Sequence, residues 1–507
     1  MQAIESNRLR FYRELFHSWF DKGEVDSVAL YVKDYPSLIF REMEFFLIPT
    51  IAKIIFDAKQ SGGRDVYAMY FSNTKLLHEK LESFGILGRL CAHLRNFVLC
   101  TRSTLRRTLD ALLHANLITC ARDVVNVRVG LSDLHSLGFT SSLATTRDGQ
   151  KFFVKQSIAD PARIFYDMCD LLDVDVKKKE YVGNYHDLSI TRFLPYEPNV
   201  KDARVFYRRM ATLMALATAL NLTDIHLENL LVHDQYPVIL DFESLFTFKE
   251  NQDLSDVEST LFVEQVSADF DGPIAKSFIS ALQGGAVRSK SFLHPFVVDD
   301  GSDNFRVSYR KLSNYESHNR IISGHRVVQP HHYLKTIISY FVKTMQGIRK
   351  NKLKILNLFS SVCLGSHRYR YILRPTAFYH FLFVRSHQPS EYMHLDAYWD
   401  KIRSKLDDVQ VSHFCKSAKQ EIIAYELEAI KNGLIPFFYR DSHTLNLYTI
   451  DSKVICHAFT QTLETNLVEK IHRISDRYIQ ENALIITKSL NKTGEIDQVA
   501  RNAGWIV

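Results

Sequence analysis

Apolar residues in the first quarter of the chain recur three or four positions apart, the spacing of one face of a helix. Three stretches carry this pattern, residues 9–20, 38–55 and 76–99, and few strand-like alternations interrupt them. Residues 1–125 are therefore predicted to form a helical N-terminal cap, or a region that binds a peptide or protein.

The pattern changes after residue 125, where short apolar runs are bounded by turn residues. Residues 143–155 are predicted to form two strands joined by a turn at Asp148-Gly149. A helix should begin at Pro161, because proline suits the first helical turn. An apolar stripe over residues 203–220 predicts a second helix.

A polar, irregular stretch divides the later part of the chain. A short hairpin is predicted over residues 230–240, but residues 250–330 contain many serines and no clear periodicity, which indicates a long insertion or an activation-type segment. Helical spacing resumes over residues 332–349, and a strand is expected over 368–373. The final hundred residues are predicted to be mostly helical.

Composition narrows the class of protein only slightly. Of the 507 residues, 46% are hydrophobic and 24% are charged, which is ordinary for a globular protein. The net charge of +6 is too small to argue for a nucleic-acid partner, and the lysine run at residues 177–179 is expected to be a solvated face. The N-terminus lacks the apolar core of a signal peptide, and residues 45–56 are too few for a membrane span and include Lys53. A cytoplasmic protein without a membrane span is therefore expected.

The seven cysteines are scattered and form no Cys-x-x-Cys pair, which fits reduced thiols better than a disulfide framework. Cys363 with His367, and Cys456 with His457, have the residue types of zinc ligands. Neither pair has nearby partners in sequence to complete a tetrahedral site, so zinc is not expected.

The strongest chemical signal lies in the loop over residues 223–229 and the turn after the predicted hairpin. Asp224 and Asn229 are five positions apart, like the Asp that orients the substrate hydroxyl and the Asn that holds magnesium in kinase catalytic loops. Asp241 ends an apolar run, where a carboxylate would coordinate the metal bridging the ATP phosphates. Asp and Asn also favour turns, but three metal-compatible residues at this spacing predict phosphate transfer with ATP and Mg²⁺.

Lys155, near the end of the second predicted strand, is the candidate to pair with the ATP phosphates, although a lysine there can instead be merely solvated. No G-x-G-x-x-G precedes it, which argues against an ordinary protein kinase. His226, two positions after Asp224, also departs from protein kinases. It is similar to the Asp-x-His-x-x-Asn loop of aminoglycoside and choline kinase-type enzymes.

Over roughly residues 30–490, several motifs together resemble the dehydratase half of the LanM-type class II lanthipeptide synthetases. The matching segments follow the order of that family: residues 133–138 (its G-D-x-H-x-x-G motif), 148–155 (the hairpin before its ATP-binding lysine), 223–243 (its kinase core), 370–376 (its R-x-x-x-R-x-T segment) and 432–439 (a stretch with an Ile-Pro-aromatic core).

The resemblance implies two steps in one pocket. Ser and Thr of a ribosomally made precursor peptide are phosphorylated with ATP, and phosphate is then eliminated to leave dehydroalanine or dehydrobutyrine. The residues that it implies for phosphorylation are Lys155, Asp224, His226, Asn229, Asp241 and Glu243, with Asn229 and Asp241 as Mg²⁺ ligands. Those that it implies for elimination are Asp133, His135, Arg370 and Thr376.

The chemistry of these side chains fits the implied division. Arg370 is suited to departing phosphate, because a guanidinium is planar and permanently charged. His135 could take part in proton transfer if the carboxylate of Asp133 oriented and polarised its imidazole. No residue is assigned to remove the Cα proton.

The chain departs from the family in three places. Ser132 stands where the family usually has Gly, and Gln156-Ser157 replaces its Pro-Arg, which affects nucleotide or phosphate handling. Family members usually continue into a zinc-dependent cyclase domain, but only 50 residues follow His457. We therefore expect a stand-alone dehydratase that binds a precursor peptide with its leader. A separate cyclase or another tailoring enzyme would act afterwards.

The predicted fold class is α+β, a kinase-like bilobal core similar to lipid and protein kinases, with helical N-terminal and C-terminal additions. A kinase without elimination activity and a non-catalytic pseudokinase-like binding module are the alternatives. The expected divisions are residues 1–125 (helical cap), 126–250 (N-lobe and catalytic loop), 251–400 (activation-type insertion and elimination segment) and 401–507 (helical C-terminal region).

Overall fold

The computed structural model describes residues 7–135, 138–156, 161–248, 255–264, 280–283, 288–315, 318–363, 368–407 and 416–502. Within these ranges, helices are combined with small antiparallel sheets, so the chain is an α+β protein as predicted. None of the described helices is both long enough and apolar enough to cross a membrane.

Residues 7–114 are helical, in agreement with the apolar spacing. Tyr12, Met43 and Leu90 belong to one buried cluster that joins these helices. The pattern over residues 76–99 belongs to two helices, because Gly85 takes a left-handed φ of +71° between them. The helices are α1 (Asn7–Trp19), α2 (Lys22–Ala29), α3 (Tyr35–Gln60), α4 (Val66–Ser72), α5 (Thr74–Ser83) and α6 (Ile86–His114).

An antiparallel sheet of five strands follows, in the order β1-β2-β3-β5-β4. Its strands are β1 (Val124–Arg128), β2 (Ser142–Thr146), β3 (Lys151–Gln156), β4 (Tyr181–Tyr185) and β5 (Leu188–Arg192). The predicted turn joins β2 to β3, with Gly149 at a φ of +84°. The sequence did not predict β1, whose burial does not alternate cleanly. Phe152 and Val154 of β3 join the cluster of the N-terminal helices, so the sheet and those helices share a core.

Helix α7 (Pro161–Leu171) begins at the predicted proline, and α8 (Ala203–Ala219) is buried along most of its length. The side chain of Asp202 caps α8 by accepting a hydrogen bond from the amide of Arg204 at 2.8 Å. The predicted hairpin forms from β6 (Leu230–His233) and β7 (Tyr236–Ile239). Together, α8 and this hairpin hold the loop over residues 223–229 between them.

A long hairpin corrects the expectation that residues 250–330 lack regular structure. Strands β8 (Arg288–Val298) and β9 (Arg306–Tyr315) pair antiparallel, and Arg, Lys and Ser weaken the apolar alternation that would reveal them. At the tip, Asp300 accepts a hydrogen bond from the Tyr67 hydroxyl at 2.8 Å, so the hairpin is fastened to α4. The shorter elements nearby are α9 (Asp256–Ser259), β10 (Ile322–Ser323) and β11 (Arg326–Val327).

The C-terminal part contains more sheet than predicted. Helix α10 and strand β12 lie where the sequence predicted them, but β12 continues into a four-stranded sheet, β12-β13-β14-β15, so the final hundred residues combine strands with helices. The elements are α10 (Leu334–Lys350), α11 (Lys352–Cys363), β12 (Arg368–Tyr371), α12 (Thr376–Arg385), α13 (Pro389–Tyr392), α14 (Leu395–Leu406), α15 (Lys416–Lys431), β13 (Phe438–Asp441), β14 (Asn446–Thr449), β15 (Val454–His457), α16 (Leu463–Arg473) and α17 (Asp476–Asn502).

Candidate active site

Lys155 on β3 meets the acidic turn that follows β7. Its ammonium lies 2.5 Å from Oδ2 of Asp241 and 3.2 Å from Oε2 of Glu243. The amide of Glu243 donates to Oδ1 of Asp241 at 3.0 Å, which fixes the turn. The structure therefore brings together three of the predicted residues from two separate segments of the chain.

Arg370 on β12 joins the same cluster through Glu243. The guanidinium pairs with Oε1 of Glu243, and the Arg370 amide donates to the Glu243 carbonyl at 3.2 Å. The Arg370 guanidinium also lies over the ring of Phe437, 5.0 Å from its centroid. One carboxylate thus bridges a residue predicted for phosphorylation, Lys155, and one predicted for elimination.

His135 packs against Arg370. The pairing with Asp133 that the sequence analysis considered does not form. Its Nε2 lies 3.5 Å from Nη2 of Arg370, and its Nδ1 lies 3.1 Å from the Ile435 carbonyl. Asp133 is exposed. Both ring nitrogens have other neighbours because the chain turns the imidazole inward towards β12, against the Phe437 ring.

Burial and the charges of Arg370 and Lys155 lower the pKa of His135 to about 3. The imidazole is therefore neutral at pH 7. With Nδ1 carrying the proton towards the Ile435 carbonyl, Nε2 can accept from the guanidinium. These contacts place the His135 ring nitrogens against Arg370 and the Ile435 carbonyl.

The loop between α8 and β6 has a strained backbone conformation. Asp224 has a φ of +61°, in the left-handed region that few non-glycine residues adopt. The Ile225 amide donates to the Thr260 carbonyl at 2.9 Å, which helps to hold this conformation. The Asn229 side chain donates to the Asp224 carbonyl at 2.8 Å, so the two ends of the predicted motif are tied together.

His226 lies inside this loop, between carboxylates. Its Nε2 is 3.9 Å from Oδ1 of Asp224 and 3.3 Å from Nδ2 of Asn229. Its Nδ1 accepts a hydrogen bond from the Glu228 amide at 3.1 Å. Because Nδ1 is an acceptor, Nε2 carries the proton in the neutral ring, and the nearest Asp224 carboxylate oxygen lies beyond hydrogen-bond distance of it.

Thr376, like Asp133, lies outside this set of contacts. It is the first residue of α12, and no hydrogen bond joins its side chain to the cluster in the part of the chain that is described. The neighbouring Arg374 is buried and lies 2.8 Å from Glu426, whose Oε1 also accepts from the Tyr379 hydroxyl at 2.5 Å. This network fixes the chain that leads from β12 to Thr376.

Lys155, Asp241, Glu243 and Arg370 line a cleft. Burial raises the pKa of Asp241, but Lys155, Arg370 and Lys179 outweigh it and hold that pKa below its ordinary value. The carboxylate therefore stays ionised in the cleft. The lining residues are Phe153, Lys155, Gln156, Pro161, Lys179, Tyr181, Ser189, Thr191, Leu240, Asp241, Phe242, Glu243, Arg370 and Phe437.

Sequence reasoning missed the cleft residues Lys179 and Phe437. Phe437 lies in the Ile-Pro-aromatic stretch noted above, so that motif signalled it without giving it a role. Lys179 lies in a run of three lysines. The sequence of such a run does not distinguish one inward-facing lysine from exposed ones.

The donor set of Asp241 and Asn229 fits a magnesium ion. Magnesium prefers oxygen ligands and is often held by one or two protein groups together with substrate phosphates. The Leu240 amide donates to the Asn229 carbonyl at 2.8 Å, which brings Asn229 beside the acidic turn. Within the described residues, no group of three or more His, Cys, Asp or Glu side chains is arranged to hold a metal ion.

The chain is thus an α+β protein with a charged cleft, which lies between a lysine of the five-stranded sheet and an acidic turn. A comparison with protein families matches residues 86–441 to the domain of unknown function DUF4135. The match covers more than half of the chain, and the chain belongs to this family.

A curated relative is the lacticin 481/lactococcin biosynthesis protein LcnDR2 of Lactococcus lactis subsp. lactis, 25% identical over 289 residues. The match includes 52% of this chain and 29% of the relative, so the chain matches less than a third of that protein's length. Together, the family and the relative connect the chain to lanthipeptide synthetases.

Proposed function

We propose that the protein is an ATP-dependent peptide dehydratase, which phosphorylates Ser and Thr of a ribosomally made precursor peptide and then eliminates the phosphate. One observation carries the proposal. Glu243 contacts both Lys155 and Arg370, so a cation suited to ATP and a cation suited to departing phosphate share one cleft. After transfer to a Ser or Thr side chain in this cleft, the phosphate would lie close to Arg370.

We further propose that the core is kinase-like and bilobal. The support is the order of the elements around the cleft. Lys155 lies on β3 of a five-stranded antiparallel sheet, and a helix, a loop with Asp224 and a short hairpin then lead to Asp241. The N-terminal helices and the C-terminal sheet would be additions to this core.

In the first step, the substrate hydroxyl attacks the γ-phosphorus of ATP, its O–H bond breaks, and ADP leaves. Asp224 would accept or orient the hydroxyl proton, and His226 lies beside it, 3.9 Å from its carboxylate. Lys155 would bind ATP phosphate oxygens. Mg²⁺, held by Asn229 and Asp241, would supply positive charge for the phosphates.

In the second step, the Cα proton passes to a base, the Cα–Cβ double bond forms, and the Cβ–O bond breaks to release phosphate. Arg370 would stabilise the leaving dianion, since a guanidinium binds phosphate with paired N–H donors. His135 would hold Arg370 in that orientation through Nε2. Asp133 and Thr376 remain candidates for this step by resemblance to the family.

The substrate would be a precursor peptide recognised through its leader. The relative named above is a lacticin 481/lactococcin biosynthesis protein, and a peptide-modifying role for this chain is part of the proposal. The product would be an unsaturated peptide, to whose new double bonds a nucleophile could add.

The test is to incubate the protein with MgATP and a cognate Ser/Thr-rich precursor peptide, and to follow peptide mass. Loss of one water per modified residue is the expected result. A stable phosphate adduct would instead identify a kinase without elimination activity. An unchanged mass with a peptide that binds the protein would contradict both activities and favour a non-catalytic binding module.

A further inference from the structure

The three consecutive lysines at residues 177–179 have different environments, although the sequence predicted one solvated face. Lys177 lies 3.0 Å from Asp234, and Lys178 lies 2.6 Å from Asp170, each in a surface ion pair. Lys179 instead points into the wall of the cleft. The expectation of a solvated face is therefore wrong for one residue of the three.

Within the part of the chain that the structure describes, the Lys179 ammonium makes one hydrogen bond, to the Leu240 carbonyl at 2.8 Å, and lies 5.8 Å from the centroid of the Tyr181 ring. An ammonium carries three donors and a full charge, and a carbonyl satisfies one donor without cancelling the charge. Among the described residues, no carboxylate lies within ion-pair distance of it. Lys155, by contrast, has both Asp241 and Glu243 as partners.

The cleft therefore contains a positive charge that none of the described carboxylates pairs at ion-pair distance. Burial and the nearby charge of Lys155 lower the pKa of Lys179 to about 8, while Asp241 opposes the shift. Most Lys179 side chains are still protonated at pH 7. A partly desolvated cation with unused donors, beside a second cation, is a binding site for an anion.

We propose that Lys179 is a phosphate-binding residue of the cleft, which holds the polyphosphate of ATP together with Lys155. The proposal rests on the proposed function, because it names the part of ATP that this wall of the cleft would recognise. Its backbone supports a fixed position, since the Lys179 amide donates to the Tyr166 hydroxyl at 2.9 Å and the ammonium is held by the carbonyl next to Asp241.

The test compares MgATP binding by calorimetry in the wild type, Lys179→Met and Lys179→Arg, with Lys178→Met as the matched control. We expect Lys179→Met to raise the Kd by about tenfold or more, as for loss of one charge-assisted contact. Lys179→Arg should retain most of the affinity, and Lys178→Met should bind as the wild type does. Thermal unfolding of each variant checks that it is folded.

The pH dependence supplies a second readout that needs no methionine variant. Wild-type affinity should fall between pH 7 and pH 9 as Lys179 loses its proton, whereas Lys179→Arg should remain nearly constant over that range. The comparison separates Lys179 from the titratable groups that face it, Lys155, Asp241, Tyr166 and Tyr181.

Equal MgATP affinity in folded Lys179→Met and wild type would overturn the proposal and leave the proposed function intact. If Lys179→Met does not fold, an equal pH dependence in wild type and Lys179→Arg would overturn it. A wild-type protein that binds no MgATP would overturn the proposed function and this proposal together.

Discussion

Glu243 divides its two oxygens between cations that come from different sheets. Oε2 faces Lys155 of β3, and Oε1 faces Arg370 of β12. The sequence identified all three residues by motif, because each belongs to a short pattern with a chemical meaning. It could not identify the bridge between them, since a contact across 127 positions leaves no trace in local spacing. The same limit applies to His135, whose neighbours Arg370 and Ile435 lie 235 and 300 positions away in sequence.

Arg370→Ala tests the division of labour at the level of one residue. We expect phosphopeptide to accumulate, with elimination slowed on the order of 10²-fold, because the leaving dianion loses its main cationic partner. Phosphorylation should be much less affected, since Lys155 keeps Asp241 and Glu243. Time-resolved mass spectrometry of the peptide measures both steps.

The control is Arg477→Ala, which removes an exposed arginine from an i,i+4 pair on α17. It should process the peptide at the wild-type rate. Rapid loss of water by Arg370→Ala, without a phosphorylated intermediate, would refute the role assigned to Arg370.

Among helices and strands, prediction succeeded where apolar periodicity or turn chemistry was strong. The turn at Gly149, the start of α7 and the β6–β7 hairpin lie where the sequence predicted them. The β8–β9 hairpin and the strands after β12 were missed, because polar residues interrupt their alternation. Pairing with distant strands stabilises β13, which local propensity does not reveal.

Helix α15 provides a test at this scale. Glu426 is buried and bonded to both Arg374 and Tyr379, so Glu426→Ala would leave a buried guanidinium without its carboxylate. We expect the free energy of unfolding to fall by about 3–5 kcal/mol. Chemical denaturation monitored by circular dichroism measures the change.

Glu421→Ala, on an exposed position of the same helix, is the matched control and should change stability by less than about 0.5 kcal/mol. Similar losses in the two variants would contradict the view that the Arg374–Glu426–Tyr379 network holds α12 and α15 together.

The C-terminal helices are fastened to the centre of the molecule by Asp256 of α9. Its carboxylate lies 2.8 Å from the ammonium of Lys470 on α16 and accepts from the Tyr478 hydroxyl at 2.7 Å. Lys470 also donates to the side chain of Asn221 at 2.6 Å, just before the loop that contains Asp224. Helix α16 therefore contacts the segment that leads into the loop over residues 223–229.

Asp256 should make the stability of the protein sensitive to acid. Burial raises its pKa, but Lys470, Tyr478 and Arg473 outweigh burial and hold it below the ordinary value. A depressed pKa contributes stability that is present above the unfolded-state pKa of about 3.9 and is lost as pH falls through the lower folded-state pKa. Asp256→Asn should therefore be destabilised at pH 7, and the difference from wild type should shrink below about pH 4.

Thermal unfolding between pH 7 and pH 3 measures this dependence. Asp170→Asn, which alters an exposed surface pair, should follow the wild-type curve. A gap between wild type and Asp256→Asn that stays constant down to pH 3 would show that the ionised carboxylate is not the source of the stability.

The walls of the cleft are completed in a fixed order during synthesis. Lys155, Asp241 and Glu243 leave the ribosome first, whereas Phe437, which covers Arg370 and His135, follows Glu243 by roughly 200 residues. At translation rates of about 5–20 residues per second, Phe437 is synthesised on the order of 10–40 s after Glu243. The Phe437 side of the cleft can form only after β13 has been synthesised and can pair with β12. Synonymous codon changes that alter elongation over this stretch would act directly on that interval.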